Sequence, residues 1–173
     1  MSTPVVPSPP PLARARWWGL GALAVPALLA GACVAGHDAA RVVSIADGDT
    51  IRVKRGSALI SVRLACIDAP EMAQRPHGGQ ARRALQRRLP PGSPVRLEEK
   101  DRDRYGRLVA EVFAQENINL ALVADGQAFV YRRHLGQCDG QAYRAAESRA
   151  QVDRLGVWQV PGGITRPWNF RRK

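Results

Sequence analysis

The sequence predicts a mixed α+β domain, a small and partly closed barrel of five short strands with interleaved helices, preceded by an N-terminal signal or anchor segment. Three observations predict it. Runs of β-branched residues alternate with turn formers. Other stretches space their apolar residues as a helix does. The first 36 residues hold no acid but a long apolar run. At 173 residues the chain fits one domain of ordinary size plus an appendage, which leaves no room for a second catalytic domain.

Residues 1–36 come first, with a Pro- and Ser-rich start, Arg14 and Arg16, and then WWGLGALAVPALLAGACVAG from Trp17. A basic region, an apolar run and small residues follow in the order of a secretory signal. Three endings fit the residues. Ala30, Gly31 and Ala32 make an AxA-like cleavage site; LLAGAC resembles a lipobox that would lipidate Cys33; and the stretch from Trp17 to Ala35, roughly 28 Å as a helix, could cross a bilayer uncleaved. Each predicts a bacterial protein that is exported, whether secreted, periplasmic or attached to the envelope membrane.

After Gly36 the pattern changes. RVVSI, TIRVK and ALISVRLACI read as three successive strands separated by DGD and RGS turns. HGGQARRALQRRL places Ala81, Ala84, Leu85 and Leu89 at helical spacing and is closed by Pro90 and Pro91. PVRLEEK and RLVAEVF read as two more strands around the charged loop DRDRYG, and INLALVADG as a short helix stopped at Gly126. QAFVYRR returns as an extended segment, and GQAYRAAESRAQVDRLG as a long helix ending at Gly156. In that helix Glu147 reads as a locally paired residue. The basic tail 161–173, PGGITRPWNFRRK, reads as flexible or packed, with a clamp on nucleic acid as the alternative.

The net charge is +11, from 26 Lys and Arg against 15 Asp and Glu. Only two of the basic groups fall in residues 1–36, so the field belongs to the domain and favours a polyanion, with nucleic acid as the leading partner. Of three cysteines, Cys66 and Cys138 are left outside the targeting segment. They fit a disulfide in an oxidising compartment, or Cys66 is a small buried hydrophobe.

Three carboxylates stand at strand ends in tight-turn chemistry: Asp49 in ADGDT, and Asp68 and Glu71 in CIDAPE. Asp49 shares the parity of Ile51 and Val53, and Asp68 that of Val62, Leu64 and Cys66, which aims both at the mouth of the barrel. Two carboxylates about 4 Å apart repel by roughly 4 kcal/mol at an effective dielectric near 20. Such a pair wants a shared proton or a cation, and a hard divalent ion bound by oxygen is the simpler answer. Without a Cys or His cluster nearby, zinc does not fit. Phosphodiester hydrolysis also needs a base, for which Glu71 is suited, and cations for the phosphate, for which Arg63 and Arg107 offer two-pronged contacts. Parity places Arg63 facing away from the core, against that role.

VVSIADGDTIRV, VRLACIDAPE, DRDRYGRLVAEVF, INLALVADGQAFVY and AESRAQVDRLGVW together resemble the staphylococcal nuclease family, over about Arg41 to Trp158. The resemblance implies a five-stranded OB-fold barrel with three α-helices over residues 37–160, and calcium-dependent cleavage of DNA and RNA to 3′-phosphorylated products. It implies calcium held by Asp49, Asp68 and the backbone carbonyl of Ala69, with Thr50 beside the metal. Arg63, Glu71 and Arg107 would be catalytic, with Tyr105 near a nucleotide phosphate. Where a member of the family has Thr, this chain has Ala69, a change a carbonyl ligand survives. MAQRPHGG is shorter than the family loop that helps hold the base. Phe129 and Tyr131 could stack on the bases of a single strand or locally opened duplex, or pack the barrel. The expected enzyme acts as a monomer; the alternatives are a non-catalytic nucleic-acid-binding OB module and an envelope adaptor.

Overall fold

The computed structural model describes residues 40–172, so the targeting segment and Cys33 lie outside the described residues. Along the chain run β1 (Ala40–Ile45), β2 (Thr50–Arg55), β3 (Ala58–Leu64), β4 (Ile67–Asp68), α1 (His77–Arg88), β5 (Pro94–Arg102), β6 (Leu108–Phe113), α2 (Ile118–Ala124), β7 (Phe129–Val130), α3 (Gly140–Val152) and the short α4 (Pro167–Phe170). Single 3-10 segments occupy Arg132–Gln137 and Gly156–Trp158. Five strands close a barrel in the order β1-β2-β3-β6-β5, with β1 returning to β5 through Ala40 opposite Val95. The expected five-stranded barrel is present, and β3 and β6 run parallel where the others pair antiparallel.

Alternation builds the barrel interior. Val42, Ile51, Val53, Val62, Leu64, Leu108, Ala110 and Val112 are all buried, and Leu85 and Leu89 of α1 join the same core. One buried polar side chain holds the helical layer to the barrel. Asn119 of α2 accepts from Val112 N at 3.0 Å and donates to the carbonyls of Ala65 and Ala110 at 3.0 and 3.1 Å. A fully buried amide is tolerated because its acceptor and both donor hydrogens are used. Asn117 and Asp139 cap α2 and α3 by accepting from backbone N–H groups in the first turn.

Three segments differ from their sequence reading. ALISVRLACI is not one strand: β3 ends at Leu64, Cys66 takes φ +65°, and Ile67–Asp68 start the separate ladder β4–β7. The break is pinned by Ala65 N donating to Ala110 O and by the disulfide from Cys66 to Cys138. QAFVYRR is extended only at Phe129–Val130 before the chain turns into a 3-10 segment. The long helix stops at Val152, four residues short of Gly156. Gly156 instead lies against Gly126, where Val157 N reaches Gly126 O at 2.8 Å and a Cβ on Gly156 would stand 2.1 Å from that oxygen. Glu147 is paired locally as expected, accepting from Val130 N and Arg132. No helix of the described residues is long and apolar enough to cross a membrane.

Candidate active site

The site forms where the β1–β2 turn, the exit of β3 and the start of β6 meet. Gly48 permits the approach, since a Cβ there would stand 2.7 Å from the Cβ atoms of both Ala69 and Ala81. Asp49 follows on that turn. Its carbonyl accepts from Leu64 N at 2.8 Å and its Oδ2 from Ala69 N at 2.7 Å, which binds the β2 entrance to the β4 exit.

Asp49 and Asp68 are both buried and share one guanidinium. Arg63 stands 3.1 Å from Asp49 Oδ2 and donates to Asp68 Oδ1 at 2.7 Å. The parity expectation is half correct: Arg63 does alternate with the core residues Val62 and Leu64, so it leaves the barrel interior. Parity does not pass through the turn at Cys66, but Asp49, just before β2, and Asp68, the last residue of β4, both stand at strand ends, where they meet the outward Arg63. Burial pushes the Asp49 carboxyl up to about 7, against the opposing pull of Arg63.

Arg107 reaches the same face through Thr50. Thr50 is the register partner of Arg63 across β2–β3; its hydroxyl lies 3.4 Å from Arg107 Nη1 and 3.3 Å from Asp49 Oδ1. The residue that holds Arg107 is Asp103, which sequence reasoning missed. It accepts from Tyr105 N, Arg107 N and Arg107 Nε at 2.9, 3.0 and 2.7 Å, and Gly106 at φ +77° closes the turn. Although burial pushes Asp103 up, these donors hold its carboxyl below the usual range. An Asp four residues before an Arg across a YG turn was the available signal.

Glu71 is half-exposed, as a base that must meet water should be. In the short MAQRPHGG loop, Gln74 holds it: Gln74 Oε1 accepts from Glu71 N at 2.9 Å, and Gln74 N donates to Glu71 O at 2.8 Å. Gly78 lies so close that a Cβ would stand 2.1 Å from Glu71 O. The side chain of Glu71 accepts from Arg171 at 2.6 Å, and Arg171 also grips Asp68 with Nη1 and Nη2 at 3.2 and 2.8 Å. Its hydrogen bonds to Asp68 and then Glu71 hold the Arg171 guanidinium above its ordinary pKa. Arg171 lies about a hundred residues beyond its partners, in a tail whose basic composition gave no sign of a single destination.

The aromatic expectations divide. Tyr105 is exposed and free to meet a ligand. Tyr131 is partly buried and stacks on Trp168 of the tail at 5.3 Å. Phe129 is corrected: it is fully buried and packed edge-on against Trp158 and Trp168, so no base can reach its ring. The tail is therefore packed, with α4 laid against the aromatic cluster.

Among the described residues no group of three or more His, Cys, Asp and Glu side chains gathers as a ready metal cluster. The donor chemistry of Asp49, Asp68 and the Ala69 carbonyl, all oxygen, fits a hard cation, although Arg63 and Arg171 here meet the charge of the two acids that a cation was expected to meet.

Comparison with known proteins gives the same identification. The family described as "Staphylococcal nuclease homologue" matches residues 61–160. The "Micrococcal nuclease" of Shigella flexneri is 40% identical over 141 residues, covering 76% of this chain and 79% of that protein. "Protein ParB" of Escherichia coli is 38% identical, with 76% and 78% covered. An "Uncharacterized endonuclease" of Haemophilus influenzae is also 38% identical, with 82% and 78% covered. A closed five-stranded barrel with its acids and arginines at one strand-end cluster, and relatives aligned along most of their length, place the chain in one family: it belongs to the staphylococcal nuclease homologues.

Proposed function

We propose that this chain is a calcium-dependent endonuclease that hydrolyses phosphodiester bonds of DNA and RNA and leaves 3′-phosphorylated products. One observation carries the reading. Arg107, Thr50, Asp49, Arg63, Asp68, Arg171 and Glu71 form an unbroken chain of hydrogen bonds and ion pairs, so every candidate charged group belongs to one site. Relatives named as nucleases support the same class of activity.

In this reading Glu71 takes a proton from water as the water oxygen bonds to phosphorus, and the bond to the 5′ oxygen breaks, that oxygen taking a proton from solvent as it leaves as a hydroxyl. Arg63 and Arg107 meet the negative charge that grows on the phosphate oxygens, where planar donors fit better than an ammonium. Asp49, Asp68 and the carbonyl of Ala69 would hold calcium, which when bound supplies fixed positive charge beside the phosphate. Tyr105 and Tyr131 are the rings left to contact nucleotides. An opened or single strand suits them, because exposed bases can stack.

Export in a bacterium, to the periplasm, the medium or an envelope anchor, belongs to the same proposal. It is supported by the Cys66–Cys138 disulfide, a bond that persists in oxidising compartments. The protein acts as a monomer. Incubating it with plasmid and with denatured DNA, in calcium or in chelator, tests the activity. Degradation in calcium alone is expected; intact substrates in both buffers would overturn the enzyme.

A further inference from the structure

The tail beyond residue 160, where the family match ends, places a third arginine among the site's acids. Its contacts are selective. Arg171 uses both terminal nitrogens on Asp68 and one of them also on Glu71, while the adjacent Arg172 has no carboxylate partner among the described residues. Both oxygens of Asp68 are thereby occupied, and Oδ1 is shared with Arg63.

The two ends of this contact differ in freedom. The side chain of Asp68 is 1% exposed and fixed by β4 and Arg63, whereas that of Arg171 is 44% exposed. Only the arginine can withdraw. What returns it to the site is the anchoring of the tail: Pro167 is buried, Trp168 stacks on Tyr131, and Gln74 donates to the Thr165 carbonyl at 2.8 Å. Gln74 is also the residue that holds Glu71, so tail and base share one support.

We propose that Arg171 is a resident, displaceable cation of the active site, an intramolecular competitor that occupies Asp68 and Glu71 until a divalent ion replaces it. This rests on the proposed function in taking Asp68 as a metal ligand and Glu71 as the base. While seated, Arg171 blocks Asp68 from a second cation and occupies Glu71 Oε1 with a hydrogen bond, so that oxygen is not open to a water. A latch that leaves about one molecule in ten open raises the apparent dissociation constant of an entering ion about tenfold. The site then stays closed at low calcium without a separate inhibitor.

Calorimetric titration of the full chain with calcium, in the absence of nucleic acid, tests the competition. Arg171→Ala should bind calcium about three- to tenfold more tightly than the native chain, and Arg171→Gln should repeat the gain. Arg172→Ala removes the same charge from the neighbouring position and should stay within about twofold of the native value. Equal or weaker binding in both Arg171 variants, an equal gain in Arg172→Ala, or no calcium binding in any form overturns the latch. Plasmid degradation by the same samples separates this outcome from the fate of the enzyme. Calcium-dependent cleavage with unchanged affinities removes the latch and leaves the nuclease, whereas tightened affinity without cleavage does the reverse.

Discussion

Arg63 has two tasks that pull its substitutions apart. It neutralises two buried acids and is proposed to meet the phosphate, so Arg63→Ala leaves Asp49 and Asp68 short of a partner as well as losing a donor. Removing one partner of a buried ion pair costs about 3–5 kcal/mol. Arg63→Lys keeps the charge and loses the two-pronged geometry. Urea denaturation should therefore find Arg63→Ala the less stable of the two, while both lose at least about a hundredfold in cleavage rate. Equal stability would mean that the buried acids do not depend on Arg63. The acids themselves were legible in the sequence because DGDT and IDAPE are turns in which a carboxylate has a local reason to stand. Arg171 and Gln74 were not, since their contacts join positions that only folding brings together.

At the scale of the element, turns carry the precision. The Asp103–Arg107 turn aims a half-buried arginine through three hydrogen bonds to one carboxylate, so Asp103→Ala should free Arg107 and slow cleavage by roughly tenfold. It lies on an exposed loop, and the melting temperature should barely move; a large thermal shift would assign Asp103 to folding instead. Gly48→Ala is the opposite case. Its new Cβ would overlap Ala69 and Ala81, and overpacking of this kind costs about 1–3 kcal/mol, measurable as a lower urea midpoint. Strand and helix identity could be read from periodicity, but the break at Cys66 could not. β-branched content predicts extension, and the chain is turned there by long-range contacts: the disulfide, the bond to Ala110 O and the Asn119 bond to Ala65 O.

The described residues form a barrel closed on itself and stapled across its helical layer. Cys66 and Cys138 are 72 residues apart, so their bond removes a large loop from the unfolded ensemble, and reduction should lower stability by about 2–5 kcal/mol. A thermal melt with and without reductant measures it. The fold class was legible because five strands and their helices follow one another in chain order. The tail's position was not, because a segment of Trp, Phe and Arg has equal reason to meet solvent, nucleic acid or its own domain; here Trp168 and Arg171 settle it against the domain. The net charge of +11 argues for polyanion binding and says nothing about cleavage.

The proposed reaction makes Glu71 the base, and its side chain is half-exposed, so its removal should spare the fold. The most direct measurement is the single-turnover rate on denatured DNA in calcium for the native chain and Glu71→Gln, with circular dichroism of both. Matching spectra, 3′-phosphorylated products from the native chain, and a rate at least about a hundredfold lower in the variant are expected. A Glu71→Gln chain that is folded and cleaves at the native rate would contradict the role of Glu71 as the base.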